Sequence, residues 1–152
     1  MRIWVDGDAC PAPVKQILFR ASDRTKIKLI FVANHLSHIP VSPYISIIVV
    51  AHGFDEADKY ITTHANAGDL VITADIPLAN DVVNKGCLAL NPRGLLYTET
   101  NIKQQLAVRN LMANLRDQML ISGGPASYGK NDSQAFADEL DKILTKFNKL
   151  KQ

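Results

Sequence analysis

Cysteine is scarce in this chain: 152 residues hold two, Cys10 and Cys87, far apart and without CxxC spacing. That excludes a disulfide framework and a zinc site, and it points to a reducing compartment. Long apolar runs are missing as well. Nothing approaches the ~20 residues needed to span a bilayer. The first residues enter a strand-like stretch with no basic segment, apolar signal core or small-residue cleavage site, so the expectation is a cytoplasmic protein with no membrane partner. Nor is charge of one sign in excess. Seventeen Lys and Arg against 15 Asp and Glu leave a formal net charge of +2, too little to mark a nucleic-acid binder by itself. What remains is a composition ordinary for a globular protein, 47% hydrophobic and 21% charged. The length suits one domain that buries ~70% of the surface of its unfolded chain.

The hydrophobic pattern alternates between strand and helix. RIWVD (2–6) is short, apolar and partly β-branched, as a buried strand is. Pro11 and Pro13 fit a first helical turn, where a missing N–H costs little, and Val14, Ile17, Leu18 and Ala21 follow at helical spacing. IKLIFVA (27–33) and YISIIVVA (44–51) read as strands on either side of the turn-prone NHLSHIPVSP. A helix is expected over 54–67, stopped by Gly68, then a strand at DLVIT (69–73), a helix over 78–85 and a strand at 87–90. Near-continuous apolar strands alternating with helices define an α/β fold with a mainly parallel sheet covered on both faces. The single domain, 1–152, divides into an α/β core over about 1–95 and a helical extension over about 96–152. That extension carries amphipathic helices over 102–121 and 135–150, joined by SGGPASYGKNDSQ.

In a parallel α/β sheet, ligands bind outside the carboxyl ends of the strands. Acids gather there. Asp6 ends the first strand and Asp8 follows; Asp55 and Asp58 open the helix after the third strand; Asp75 ends DLVITAD. Three or four carboxylates together are tolerable only if they share protons or surround a cation, because two at ~5 Å repel by roughly 3 kcal/mol at an effective dielectric of ~20. Hard oxygen donors with no accompanying Cys or His set select Mg2+ or Mn2+. Such an ion activates water on a phosphodiester. The plainer reading of Asp55 and Asp58 is a capping pair, and of Asp8 a cap on the first helix. Asp6 and Asp75 resist that reading, since a charge ending a buried strand needs a partner and neither has an adjacent basic residue. Asp81 reads as a solvated helix residue and Asp69 as the far end of its strand. Cys10, at a helix N-terminus, is expected to have a lowered thiol pKa, but no Cys-x5-Arg follows it. His52 closes the third strand and is placed behind the ligands; His35 and His38 read as surface residues. Arg93 in LNPRG and Lys130 in SYGKND are placed to bind phosphate, and Asp132 or Ser133 to cap the last helix.

The stretches WVDGDACP, HGFDEADKYI, GDLVITADIPLA, LNPRG and GGP, in this order over almost the whole chain, resemble the YaiI/YqxD family of small bacterial proteins. The core also resembles the PIN and NYN ribonuclease folds. That resemblance implies a PIN-like three-layer sandwich and a Mg2+- or Mn2+-dependent nuclease acting on RNA or another phosphodiester. Asp6, Asp55, Asp58 and Asp75 would be its metal ligands, and Asp6, Asp8, Asp58 and Asp75 its catalytic acids. One departure is that Ile76 and Pro77 follow Asp75, where such nucleases often carry a further acid. Two other readings stand beside it: a phosphohydrolase with Asp6 as nucleophile and Asp8 as acid, since DGD is similar to the haloacid-dehalogenase Asp-x-Asp, and a non-catalytic module binding nucleic acid or protein.

Overall fold

The structure, a computed structural model, describes residues 1–53, 55–121 and 127–151. Strands β1 (Arg2–Asp6), β2 (Lys28–Ala33), β3 (Ile45–Val49), β4 (Leu70–Ile72), β5 (Leu88–Leu90) and β6 (Leu96–Tyr97) form one sheet in the order β3-β2-β1-β4-β5-β6. Every neighbouring pair is parallel except β5 with β6. Helices α1 (Ala12–Thr25), α2 (Glu56–His64), α3 (Ile76–Asn84), α4 (Ile102–Asp117) and α5 (Lys130–Lys151) complete the α/β architecture, with the C-terminal third helical as its sequence pattern predicts.

The side-chain alternation of a strand assigns each helix to a face. From β1, Ile3 and Val5 enter a cluster with Val14 and Leu18 of α1 and Phe136 and Leu140 of α5. Trp4 points the other way, into a cluster with Ile61 of α2, Leu78 and Val82 of α3 and Ile102 of α4. The sheet is thus the middle of three layers, and both its faces are dry.

Three local differences from the sequence pattern have clear causes. β6 is two residues long, too short for any periodicity, and it exists because the turn after β5 folds back on it. In that turn the Asn91 side-chain oxygen accepts from the amides of Arg93 and Leu95, each at 2.9 Å. Gly94 takes φ 92, and a Cβ there would lie 2.7 Å from the Ala135 carbonyl carbon, so only glycine lets α5 sit against the turn. The last helix begins at Lys130 rather than 135. The Gly129 amide donates to Asp132 Oδ2 at 2.9 Å, the reach-back half of a capping box, which places Asp132 inside the first turn rather than at the cap. Finally, α4 stops at Asp117 instead of 121. Ser122 to Ala126, with the GGP of the connecting segment, lie outside the described residues, as does Phe54.

Asp69 lies at the amino edge of β4, the far end from the acid cluster, as expected. It is buried there and receives the Trp4 indole N–H (3.1 Å), the Arg2 amide (3.0 Å) and the Asn66 amide (2.9 Å), with the Arg2 guanidinium 3.3 Å away. Burial pushes this carboxyl up, but the hydrogen bonds from Asn66, Trp4 and Arg2 and the Arg2 charge outweigh it and hold the pKa below the usual range. Replacing Asp69 with Ala strands a buried indole N–H. The expected cost is about 2 kcal/mol in urea unfolding.

Candidate metal centre

The chain leaves β1 for α1 and β4 for α3, on opposite faces of the sheet, so the carboxyl ends of these two neighbouring strands flank a crevice at the point where the strand order reverses. Asp6 is the last residue of β1. Asp75 follows β4 by three residues and caps α3: its Oδ1 accepts the Leu78 amide at 3.0 Å. Buried Thr73 fixes the approach, its Oγ1 accepting the Asp75 amide at 2.9 Å. Pro77 in the first turn of α3 lacks only an N–H that would have no helical partner.

The third contribution comes over the edge from β3. Asp55 precedes α2 with φ 62 and ψ 18, the left-handed conformation that Asp tolerates better than most residues, and its side chain caps nothing. The capping-pair reading of Asp55 and Asp58 therefore fails. Asp58, one turn into α2, instead hydrogen-bonds to Asp75 across the crevice. Asp55, Asp58 and Asp75 each bring a carboxylate oxygen to within 4.8 Å of the others. Asp6 lies beside them, close enough for its charge and theirs to interact.

The electrostatics record the crowding. Burial raises the Asp58 carboxyl to about 8, and the hydrogen bond to Asp75 and the charges of Asp75, Asp6 and Asp55 add to it. Burial raises Asp6 to about 6, reinforced by Asp75 and Asp8. Among the described residues, none of Asp6, Asp55, Asp58 and Asp75 has an ion-pair partner. Two ionised carboxylates at the 4.8 Å spacing repel by roughly 3 kcal/mol at an effective dielectric of ~20, so the cluster holds protons unless a cation replaces them. The donor set is oxygen alone, which suits Mg2+ or Mn2+.

Other sequence candidates stand further off. Asp8 is in the 3-10 turn Gly7–Ala9 and does not cap α1, whose N-cap is Pro11. Its oxygens accept the Asn34 amide at 3.0 and 3.2 Å and lie 3.3 Å from the His35 ring, so it walls the crevice from the β2 side. Arg93 is on the same sheet edge, but its guanidinium bonds Asp132 at 3.0 Å and stacks 5.7 Å from the Tyr128 ring centroid, fastening α5 to the turn rather than reaching the acids. Lys130 and His52 are exposed, and neither lines the crevice; His38 is exposed as well. Cys10 corrects an expectation: burial pushes its thiol up to about 12, Lys15 opposing and Asp6 adding, where its place before a helix predicts a fall.

A second hollow of about 380 Å3 shares Asp55, Asp58 and Asp75 and is lined further by Lys59, Thr62, Asp81 and Arg109. Lys59 and Arg109 are the basic groups that sequence reading missed. Nothing local marks Arg109; it lines this hollow only because α4 packs on α3. Thr73 could have been found from its place two residues before Asp75.

A doubly wound α/β domain with an unneutralised acid cluster at its switch point is the class of protein these features define. Residues 4–146 match the family described as "Uncharacterized BCR, YaiI/YqxD family", and the chain belongs to it. Curated relatives named "UPF0178 protein" include one from Maridesulfovibrio salexigens, 56% identical over 96% of this chain and 97% of its own, and one from Shewanella loihica, 53% identical over 98% and 99%. No solved structure matches. No helix among the described residues is long and apolar enough to cross a membrane.

Proposed function

We propose that this protein is a Mg2+- or Mn2+-dependent nuclease of PIN-like architecture acting in the cytoplasm, with RNA or a related phosphodiester as substrate. The observation that carries the reading is the convergence of Asp55, Asp58 and Asp75 oxygens within 4.8 Å, beside Asp6, with no basic side chain paired to any of them among the described residues. These four residues would hold the ion, which when bound polarises a phosphodiester and lowers the pKa of an attacking water. Asp75 is an oriented ligand, because Thr73 and the Leu78 amide fix it before anything binds. Asp6, at the end of β1, would complete the ligand set; in the metal-free protein burial raises its carboxyl to about 6, so near neutral pH it gives up its proton readily to an incoming cation. Arg109 and Lys59, across the adjoining hollow, are better placed than Arg93 to meet a phosphate.

The phosphohydrolase reading is weaker, because Asp8, its required acid, is occupied by the Asn34 amide and His35. The non-catalytic reading is favoured by one feature, the Ile76-Pro77 pair where a further acid would complete the cluster. One experiment separates them: the full chain is incubated with end-labelled single-stranded and duplex RNA and DNA and with a chromogenic phosphomonoester, in Mg2+, Mn2+ or chelator, while Mn2+ binding is titrated separately. The proposal expects chelator-sensitive cuts in a polynucleotide. Tight Mn2+ binding without turnover selects the binding module, and phosphomonoester turnover through a trapped Asp6 acyl-phosphate selects the phosphohydrolase.

A further inference from the structure

α4 has two apolar faces and only one is covered. Ile102 is buried among α3 and the sheet, and Arg109, on the same side, lines the acid hollow. Roughly 130° round the helix lie Val108, Leu111, Met112 and Leu115 at the i, i+3, i+4, i+7 spacing of a buried stripe. Val108 is 44% exposed, Leu111 55% and Met112 41%. Met119 and Leu120, just past the helix end, are 89% and 65% exposed, and Ile121 is exposed too. Met119 adopts φ 59, a conformation that favours glycine, yet the chain keeps a long apolar side chain there.

We propose that this face of α4 is a two-fold interface between two copies of the chain. The Leu120 amide donates to the Leu115 carbonyl at 2.9 Å, which brings the turn after α4 back against the end of the stripe; at about 100 Å2 for each of the six exposed apolar side chains, stripe and turn together expose on the order of 600 Å2. That is the upper end of what a monomer leaves uncovered. With its polar margin it reaches the ~800 Å2 per partner of a standard stable interface. The stripe is also self-complementary. An antiparallel two-fold axis passing between Leu111 and Met112 sets Leu111 against Met112 of the second copy and Val108 against its Leu115, so each contact occurs twice, as an isologous interface requires. In the same register Arg109 falls opposite Asn114, Arg116 opposite Ala107 and Asp117 opposite Leu106, so no like charges meet. Pairing would stiffen the helix that carries Arg109 to the acid hollow, but it stands independently of any activity there.

Sedimentation equilibrium of the full chain at micromolar concentration tests this. The wild type is expected at twice the monomer mass, and Leu111→Glu with Met112→Glu at half that value. Because these side chains are exposed, circular dichroism of the variant should match the wild type. Met112→Cys should give a disulfide-linked dimer on mild oxidation, and Lys103→Cys should not. A monomeric wild type overturns the proposal and leaves the face to a different partner; a double variant that stays dimeric overturns the assignment to α4.

Discussion

Asp75→Asn is expected to weaken Mn2+ binding by about a hundredfold or more, with loss of any metal-dependent cleavage in proportion, while the protein stays folded. The Asn side-chain oxygen can still accept the Leu78 amide, so the cap on α3 survives and the change isolates the charge. Asp58→Asn should give the same loss of metal with an opposite effect on stability. In the metal-free protein Asp58 is held largely protonated and hydrogen-bonded to Asp75, and Asn imitates that state permanently. At pH 9 the metal-free variant should therefore outlast wild type by about 1 kcal/mol after discounting for solvent screening. For a domain of this size that is about 2–4 °C in Tm. At pH 5 the two should be nearly equal. Calorimetric titration with Mn2+ and thermal melts with chelator decide both points; unaltered Mn2+ affinity in both variants would mean the acids hold no ion.

Metal affinity should climb steeply with pH. A cation entering the cluster displaces the proton on Asp58, raised to about 8, and below about pH 6 a second on Asp6. One displaced proton makes affinity rise about tenfold per pH unit, so a gain of about a hundredfold is expected from pH 6 to pH 8. The stability of the metal-free protein runs the other way. Both carboxyls have folded pKa values above the unfolded value near 4, so their contribution is complete below that pKa. It is lost as pH rises, through about 6 for Asp6 and about 8 for Asp58. Added Mn2+ should restore Tm most at pH 8. A flat affinity profile across this window would refute the proton–cation exchange.

The α/β class was legible because buried parallel strands announce themselves as apolar runs, and the helices between them by their spacing. The position of Asp6 and Asp75 at the carboxyl edge was legible for the same reason, because the apolar runs fix where the strands end. For Asp55 and Asp58 the residues alone left a capping pair and a ligand pair equally open, with only the resemblance favouring ligands, and the left-handed turn at Asp55, whose side chain caps nothing, removes the cap. The ion pair of Arg93 was not legible, because a guanidinium's partner can lie anywhere in the chain; here Asp132 is 39 residues away. Cys10 misled because helix-terminal position lowers a thiol pKa only where water or a cation reaches it, and burial reverses the sign. Arg109 had no local signal at all.

The seat that Gly94 makes for α5 bears on how the protein is born. Phe136, Leu140 and Leu144, which share one face of the sheet with α1, are translated after all six strands, so the part of that face α5 covers stays wet while the rest of the chain emerges from the ribosome. Nascent chains halted before α5 should bind chaperones and be cut by protease in the strands, and docking on the Gly94 turn is the event that ends this vulnerability.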